Sequence, residues 1–361
     1  MKKRMPLFLA LLAAFPLFAQ QWSGIRGEIA IPNLKGYVTL KCDFHIHTVF
    51  SDGSVWPTER INEAYHEGLD AIAITDHIEV LTHKADIPTA HNRPHEMSKV
   101  YARKKNVMLI KGNEITRSPE GHYNALFLTD ANPLETPEFM DAVKAAKKQG
   151  AFILWNHPGI REGSWKPLQT QLLEEGLISG LEVVTWNSYF PNVHRWCLEK
   201  KLTMFGDTDV HGPLFFPPGQ HRTMTLVFAT ESTPAALREA LEQRRTAVYW
   251  GEYVIGEEKY LQELFENAVT WKATRTATEA TVTLTNTSDL SFRLVKSDSD
   301  KRVYHFRDIM IAPKSTQTFT VHFLEEGVDS FTLGFVVDNF LVRPDEGMAF
   351  KKELKPRNAE K

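Results

Sequence analysis

The stretch CDFHIHTVFSDG, residues 42–53, sets two imidazoles one residue apart at the end of an apolar run and follows them with a carboxylate. Alternate side chains of a strand point to the same face, so His45 and His47 share one and can grip a single ion. Asp52 lies in the loop that follows. The preceding run YVTLKCDF, residues 37–44, reads as a strand. In α/β domains, binding residues gather at the carboxyl ends of strands, and this is where these ionisable groups stand.

Working outward, the same texture recurs from about residue 37 to 255. AIAIT, VMLIKGNEI, NALFL, AFILW, GLEVV and MTLVFA are short apolar runs. Between several of them lie amphipathic stretches such as Thr58 to Gly68, Glu138 to Gly150 and Thr233 to Arg244, with Gly68 and Gly150 in stop positions. Strand and helix in alternation predict an α/β domain with a parallel sheet, open or closed into a barrel. After about residue 265 the pattern changes to alternating, β-branched segments: ATVTLTNT, SFRLV, STQTFTVHF and SFTLGFVVD. They predict a small antiparallel, β-sandwich-like domain over 268–352, joined to the α/β domain (37–255) by a connecting helix over 256–267. The basic tail KKELKPRNAEK reads as a frayed end.

The chain has 361 residues, 42% of them apolar, and a formal charge of −3. Its first nineteen residues, MKKRMPLFLALLAAFPLFA, place a basic start before an apolar run that ends in a small residue, the pattern of a secretory signal peptide over 1–19. The run is short for a bilayer and holds Pro6 and Pro16, so no stable membrane anchor is expected. The expected location is periplasmic or extracellular. Removal of Lys2, Lys3 and Arg4 takes the charge from −3 to −6, a balance with no pull toward extended nucleic acid. Cys42 and Cys197 give no disulfide framework and read as buried small hydrophobes.

The strand ends carry a series. After His45, His47 and Asp52 come His77 in TDH, Glu114 in GNE, His122 at the opening of GHYN, His157 in NHP, and Asp209 and His211 in GDTDVHG. Imidazole and carboxylate without thiolate suit Zn²⁺, Mn²⁺ or Fe²⁺ rather than a cysteine-rich zinc site or Ca²⁺. Nine candidate ligands exceed what one ion takes, so the set implies two or three divalent ions sharing a carboxylate, with Glu114 as the bridge. Asp76 and Asn156, beside His77 and His157, read as residues that orient ligands or loops.

In order, HIH, SDG, TDH, GNE, GHYN, NHP and DVH resemble the PHP (polymerase and histidinol phosphatase) superfamily over roughly Lys41 to Phe228. The resemblance implies a metal-dependent phosphoesterase on a distorted (β/α)7 barrel. It would put His45, His47, Glu114 and Asp209 on one ion, Glu114, His122 and His157 on a second, and Asp52, His77 and His211 on a third. DVH departs from the family's commoner small-residue triplet but keeps both ligand types. Amidohydrolases also start with HxH, yet lack TDH and normally end in a lone Asp. The signal peptide and the β-domain are similar to exported bacterial PHP phosphodiesterases of the Sb-PDE type.

The function expected is hydrolysis of small organic phosphodiesters by a metal-bridging hydroxide, without assignment of an oligomeric state. The rivals are a phosphomonoesterase of the histidinol-phosphatase or nucleotide-phosphatase type and a non-catalytic, metal-containing binding protein. Beyond the metal ligands, His221 and Arg222 in GQHRTMT are expected as acid and phosphate clamp. Arg93, in the polar loop Thr82 to Glu96, is expected to contact phosphate from a lid. Trp165 and Tyr189, in loop-like settings, are candidates to pack against an organic ester group.

Overall fold

The computed structural model describes residues 24–88, 90–161, 164–217 and 219–358; the signal peptide read at 1–19 lies outside them. Strands β1 (Val38–Ile46), β2 (Ala71–Ile74) and β3 (Met108–Arg117) pair in parallel. All four residues of β2 are buried, which is why AIAI shows no alternation. Helices α1 (Pro57–Glu67) and α2 (Arg93–Lys104) make the crossovers. Proline fits the first turn of α1, and Gly68 ends that helix in the left-handed region at φ 87°.

The next strands correct the expectation of a parallel sheet. β4 (Gly121–Leu126) is antiparallel to β3, and β5 (Phe152–Trp155) is antiparallel to β4. Only residues 118–120 join β3 to β4, far fewer than the dozen or so that a parallel crossover needs. β6 (Gly180–Thr185) then adds in parallel to β5, β7 (Ser188–Tyr189) folds back on β6, and β8 (Thr203–Asp207) pairs in parallel with β6. Helices α3 (Phe139–Lys148), α4 (Pro158–Arg161), α5 (Pro167–Glu174) and α6 (Pro191–Lys200) connect these strands. On the other side β9 (Met224–Ala229), β10 (Thr246–Trp250) and β11 (Tyr253–Gly256) extend antiparallel from β1, with α7 (Pro234–Glu242) between β9 and β10.

Closure into a barrel uses threonines and a short backbone bridge between Ile46 and Val210 in place of a full ladder. The Gly206 amide donates to Thr225 Oγ1 at 3.0 Å, and Thr246 Oγ1 donates to the Met204 carbonyl at 2.9 Å, which joins β8 to β9 and β10. The approach is close enough that a Cβ on residue 206 would overlap Val248, so glycine is required there.

Helix α8 (Glu258–Ala268) leads into the second domain. Its strands are β12 (Val269–Arg275), β13 (Glu279–Asn286), β14 (Phe292–Lys296), β15 (Val303–Tyr304), β16 (Ile309–Ile311), β17 (Thr316–Phe323), β18 (Phe331–Arg343), β19 (Glu346–Leu354) and β20 (Arg357–Asn358). One layer runs β15-β17-β13-β12-β20; the other is β16-β14-β18 with β19 on β18. Most pairs are antiparallel, and β13 alternates buried Ala280, Val282 and Leu284 with outward Thr281, Thr283 and Thr285. Through residue 358 the tail expected to fray is paired: β19 pairs through Leu354, which is buried, and Arg357–Asn358 add an edge to β12.

The two domains share a sheet. β18 lies parallel to β11, Val254 opposite Phe340 and Ile255 opposite Leu341, and Leu341 packs with Val248 and Ile255 in the barrel core. The Asn339 amide donates to the carbonyls of Glu252 and Ser291, and Arg293 reaches Glu252, Asp338 and the Tyr253 hydroxyl.

Candidate metal centre

The carboxyl end of β1 is zipped to the segment after β8. The Asp209 amide donates to the His45 carbonyl at 2.9 Å, and the His47 amide to the Val210 carbonyl at 3.0 Å. Two ligand pairs that are far apart in sequence thereby share one rim of the barrel. The segments after β2 and β5, the interior of β3 and the start of the reversed strand β4 bring His77, His157, Glu114 and His122 to the same place; β3 runs three residues past Glu114, beyond the expected strand end.

All nine predicted ligands converge. Asp209 Oδ1 lies 3.1 Å from His45 Nε2 and 3.0 Å from His47 Nε2. Glu114, fully buried, faces five imidazoles: Oε1 is 3.5 Å from His45, 3.2 Å from His122 and 3.8 Å from His157, and Oε2 is 3.6 Å from His47 and 2.6 Å from His77. Asp52 stands 3.2 Å from His211 and 3.4 Å from His77. Four overlapping sets have ligand atoms within 4.8 Å of one another: His45-His47-Glu114, His45-His157-Asp209, Glu114-His122-His157 and His47-Asp52-His77-His211. The geometry adds His157 to the first expected ion set and His47 to the third.

The donors fit a divalent cation. His45 Nε2 and His47 Nε2 are buried, and although Asp209 Oδ1 lies close to both, neither makes a well-directed hydrogen bond, which is uncommon for buried polar atoms. The surrounding donors are imidazole nitrogens and carboxylate oxygens, which suit zinc, manganese or iron. Burial opposes the charge on Glu114, but the adjacent His77 and His45 hold its carboxyl well below the usual range. Asp209 and Asp52 are likewise held low by their imidazole neighbours against the effect of burial. His77 is pushed the other way, up to about 10, because Glu114 and Asp52 outweigh its burial. A divalent cation bound among these acids and bases would displace the protons that they share.

Other residues hold the ligands in place. Asn156 Nδ2 donates to Glu114 Oε1 at 2.8 Å. Asp76 accepts from the Thr48 amide, the Thr48 hydroxyl and the Ser51 hydroxyl at 2.6–2.7 Å, which fixes the loop carrying Asp52. The sequence reading missed Arg60, whose buried guanidinium on α1 donates to the carbonyls of His47, Val210 and Gly212 and so ties the two ligand loops together. It also missed Glu182, whose signal was a lone carboxylate inside the apolar run GLEVV; it lies 2.6 Å from His45 Nδ1. His157 and Asp209 adopt φ values of 32° and 53°, left-handed backbone that is uncommon for non-glycine residues.

The three non-metal candidates lie elsewhere. Arg222 is fully buried: Nε and Nη2 donate to Glu67 at 2.7 Å, and Nη1 to Asp43 at 2.9 Å, so its fork is consumed by carboxylates and cannot clamp phosphate. His221 packs against the Tyr249 ring, and burial lowers its pKa. Arg93 begins α2 on the surface, where its partner is Glu96 at 3.7 Å. Its loop does approach the centre at one end, where the Thr82 amide donates to the Ser51 carbonyl. Trp165 packs edge-on against Trp155 and Trp196, and Tyr189 stacks on Trp250 and bonds His194, so both are taken up in packing.

A PHP domain model matches residues 43–183, and an Ig-like domain model matches residues 267–352. The crystal structure of a two-domain protein from Bacteroides vulgatus, containing a "predicted PHP-like metal-dependent phosphoesterase", is 44% identical, with a TM-score of 0.89 over 92% of this chain and 100% of that one. An uncharacterized protein of Methanocaldococcus jannaschii is 36% identical over 80 residues, 22% of this chain and 35% of that protein. A 5'-3' exoribonuclease of Haemophilus influenzae is 33% identical over 84 residues, 23% of this chain and 26% of that protein. The chain thus spans about a third and a quarter of the lengths of these two curated relatives. With its ligand series on one rim of a barrel that continues into an Ig-like domain, the chain belongs to the PHP family and is a metal-dependent phosphoesterase of PHP type.

Proposed function

We propose that this phosphoesterase is exported and prefers diesters of small organic groups, working with two or three divalent ions of zinc, manganese or iron. Such ions, when bound, supply charge neutralisation at phosphorus and a nucleophile available near neutral pH. The chain's own part is to fix them. Glu114 is placed to serve several ions at once, Asp209 and Asp52 flank it, and Asn156, Asp76 and Arg60 lock the ligands and their loops before substrate arrives.

One observation carries the diester preference. Three aromatic side chains are exposed on segments that leave the same barrel end: Trp56 at 49%, four residues after Asp52; Trp186 at 43%, directly after β6; and Phe215 at 54%, four residues after His211. Apolar faces on segments that leave the ligand-bearing end of the barrel suit organic groups on phosphate oxygens, and a diester has two such groups. The Haemophilus relative, as an exoribonuclease, also acts on a phosphodiester. The test is hydrolysis of bis(p-nitrophenyl) phosphate beside p-nitrophenyl phosphate by purified protein, after chelation and after return of Zn²⁺ or Mn²⁺. Metal-restored activity favouring the diester is expected. Preference for the monoester would move the protein to the phosphatase branch. Export is checked separately by sequencing the amino terminus of protein recovered outside the cytoplasm, expected near Gln20.

A further inference from the structure

Glu182 sits in the middle of β6, a strand whose six residues are all buried, and it is itself inaccessible to solvent. A carboxylate in such a place needs donors, and it has three. Oε1 lies 2.6 Å from His45 Nδ1, and Oε2 accepts from the His157 amide and the Thr185 hydroxyl, both at 2.7 Å. We propose that Glu182 is a positioning residue that couples two ligands from different strands, and that through them it sets metal affinity on one side of the centre only. The inference rests on the metal reading above.

With its Nδ1 proton given to Glu182, the His45 ring must present the lone pair of Nε2, and that atom faces Asp209 and Glu114. The second oxygen acts on backbone: His157 is held at φ 32°, and the bond from its amide to Glu182 is a local contact that keeps it there. The two rings stand nearly parallel, with centroids 5.8 Å apart and planes 20° from each other. One carboxylate therefore aims a side chain and a main chain at the same ions. The Asp52, His77 and His211 cluster is held by other means, through Thr116 on His77 and the Asp209 carbonyl on His211.

The test is calorimetric titration of Mn²⁺ into the chelator-stripped full chain, wild type against Glu182→Gln. The amide turns one acceptor into a donor, so either the His157 amide meets another donor or His45 takes the tautomer that carries its proton on Nε2. Loss of such outer contacts typically weakens metal binding about 10- to 100-fold. That loss is expected for ions on the His45 and His157 side, with affinity at the Asp52, His77 and His211 cluster within about threefold of wild type. Repeating both titrations in an Asp52→Asn background, which cripples that cluster, assigns the affected ions. Unchanged affinity throughout would overturn the proposal, and so would a uniform drop at every ion, which marks a general structural role. Failure of the wild type to take up Mn²⁺ would instead sink the metal reading itself. If Glu182→Gln gives no cooperative melt without metal, Thr185→Val removes one donor while keeping shape. It is expected to weaken the same ions a few-fold, and no change there would also overturn the proposal.

Discussion

Replacing Arg222 by Met should cost stability and leave phosphoryl chemistry alone. The guanidinium makes two bonds to Glu67 and one to Asp43, and Asp43 is inaccessible to solvent. Met matches the length of the stem but not the charge. Asp43 would keep only the hydroxyl and amide of Thr208 and a weak 3.3 Å contact from the His45 amide. Breaking a buried pair from one side costs about 3–5 kcal/mol. At roughly 2 °C per kcal/mol for a chain of this size, the melting temperature should fall by about 8 °C. The sign of the pH dependence follows from Asp43. Burial already raises its pKa, with Arg222 as the largest opposing influence, so removing the arginine raises it further. A carboxyl with a raised folded pKa favours the fold while it is protonated and loses that contribution as pH climbs through the folded value. The deficit of the variant should therefore be largest at neutral to slightly alkaline pH and shrink on acidification. Adding Asp43→Asn, which removes the stranded charge, should recover part of it. Urea unfolding at pH 5.5 and 7.5 in excess Mn²⁺, beside diesterase kinetics, reads both effects. Wild-type stability with a raised KM would refute the reasoning and return Arg222 to the role of phosphate clamp.

Other perturbations separate the remaining parts. Glu114→Gln should abolish turnover and lower metal content, since one carboxylate faces five imidazoles; wild-type rates measured beside elemental analysis would contradict a shared centre. Because His77 is pushed up to about 10 while Glu114 and Asp52 are held low, Mn²⁺ affinity should rise from pH 6 toward pH 9. Titrations in buffers of different ionisation enthalpy should show proton release on binding, and their coincidence would contradict this. Leu341→Ala should destabilise by about 2–5 kcal/mol, and fluorescence from barrel tryptophans should report the same shift as whole-chain circular dichroism.

How much of this was legible in the sequence depended on how local each cause was. The ligand series could be read because most of its motifs sit at or just after a strand terminus, and the strand period fixes which side chains share a face. The reversed direction of β4 was equally local, written in the three residues between Arg117 and Gly121, but went unread. Arg222 misled for a different reason. It does flank a strand that starts at the correct barrel end, yet its partner Glu67 is 155 residues away, and nothing nearby says which carboxylate will take the charge. Glu182 left a trace, a charge inside an apolar run; Thr185 is its neighbour on β6, whereas His45 and the His157 amide reach it only through folding. The pairing of β18 with β11 was invisible for the same reason. Asn339 to Leu341 look like one more stretch of the sandwich, and nothing in their spelling says that they also border a barrel.

That shared sheet bears on how the molecule comes apart. A chain cut after residue 267 would leave β11 with a bare flank of amides and carbonyls, and the slot filled by Leu341 open to water. Exposed flanks of this kind recruit other chains, so the shortened protein should precipitate instead of behaving as a free-standing catalyst. In the intact chain, β10, β11 and β18 should belong to one opening unit, with their amides exchanging into deuterium at a common slow rate. The Ig-like domain is then a buttress of the barrel wall, and proteolysis should find few places to enter between the two.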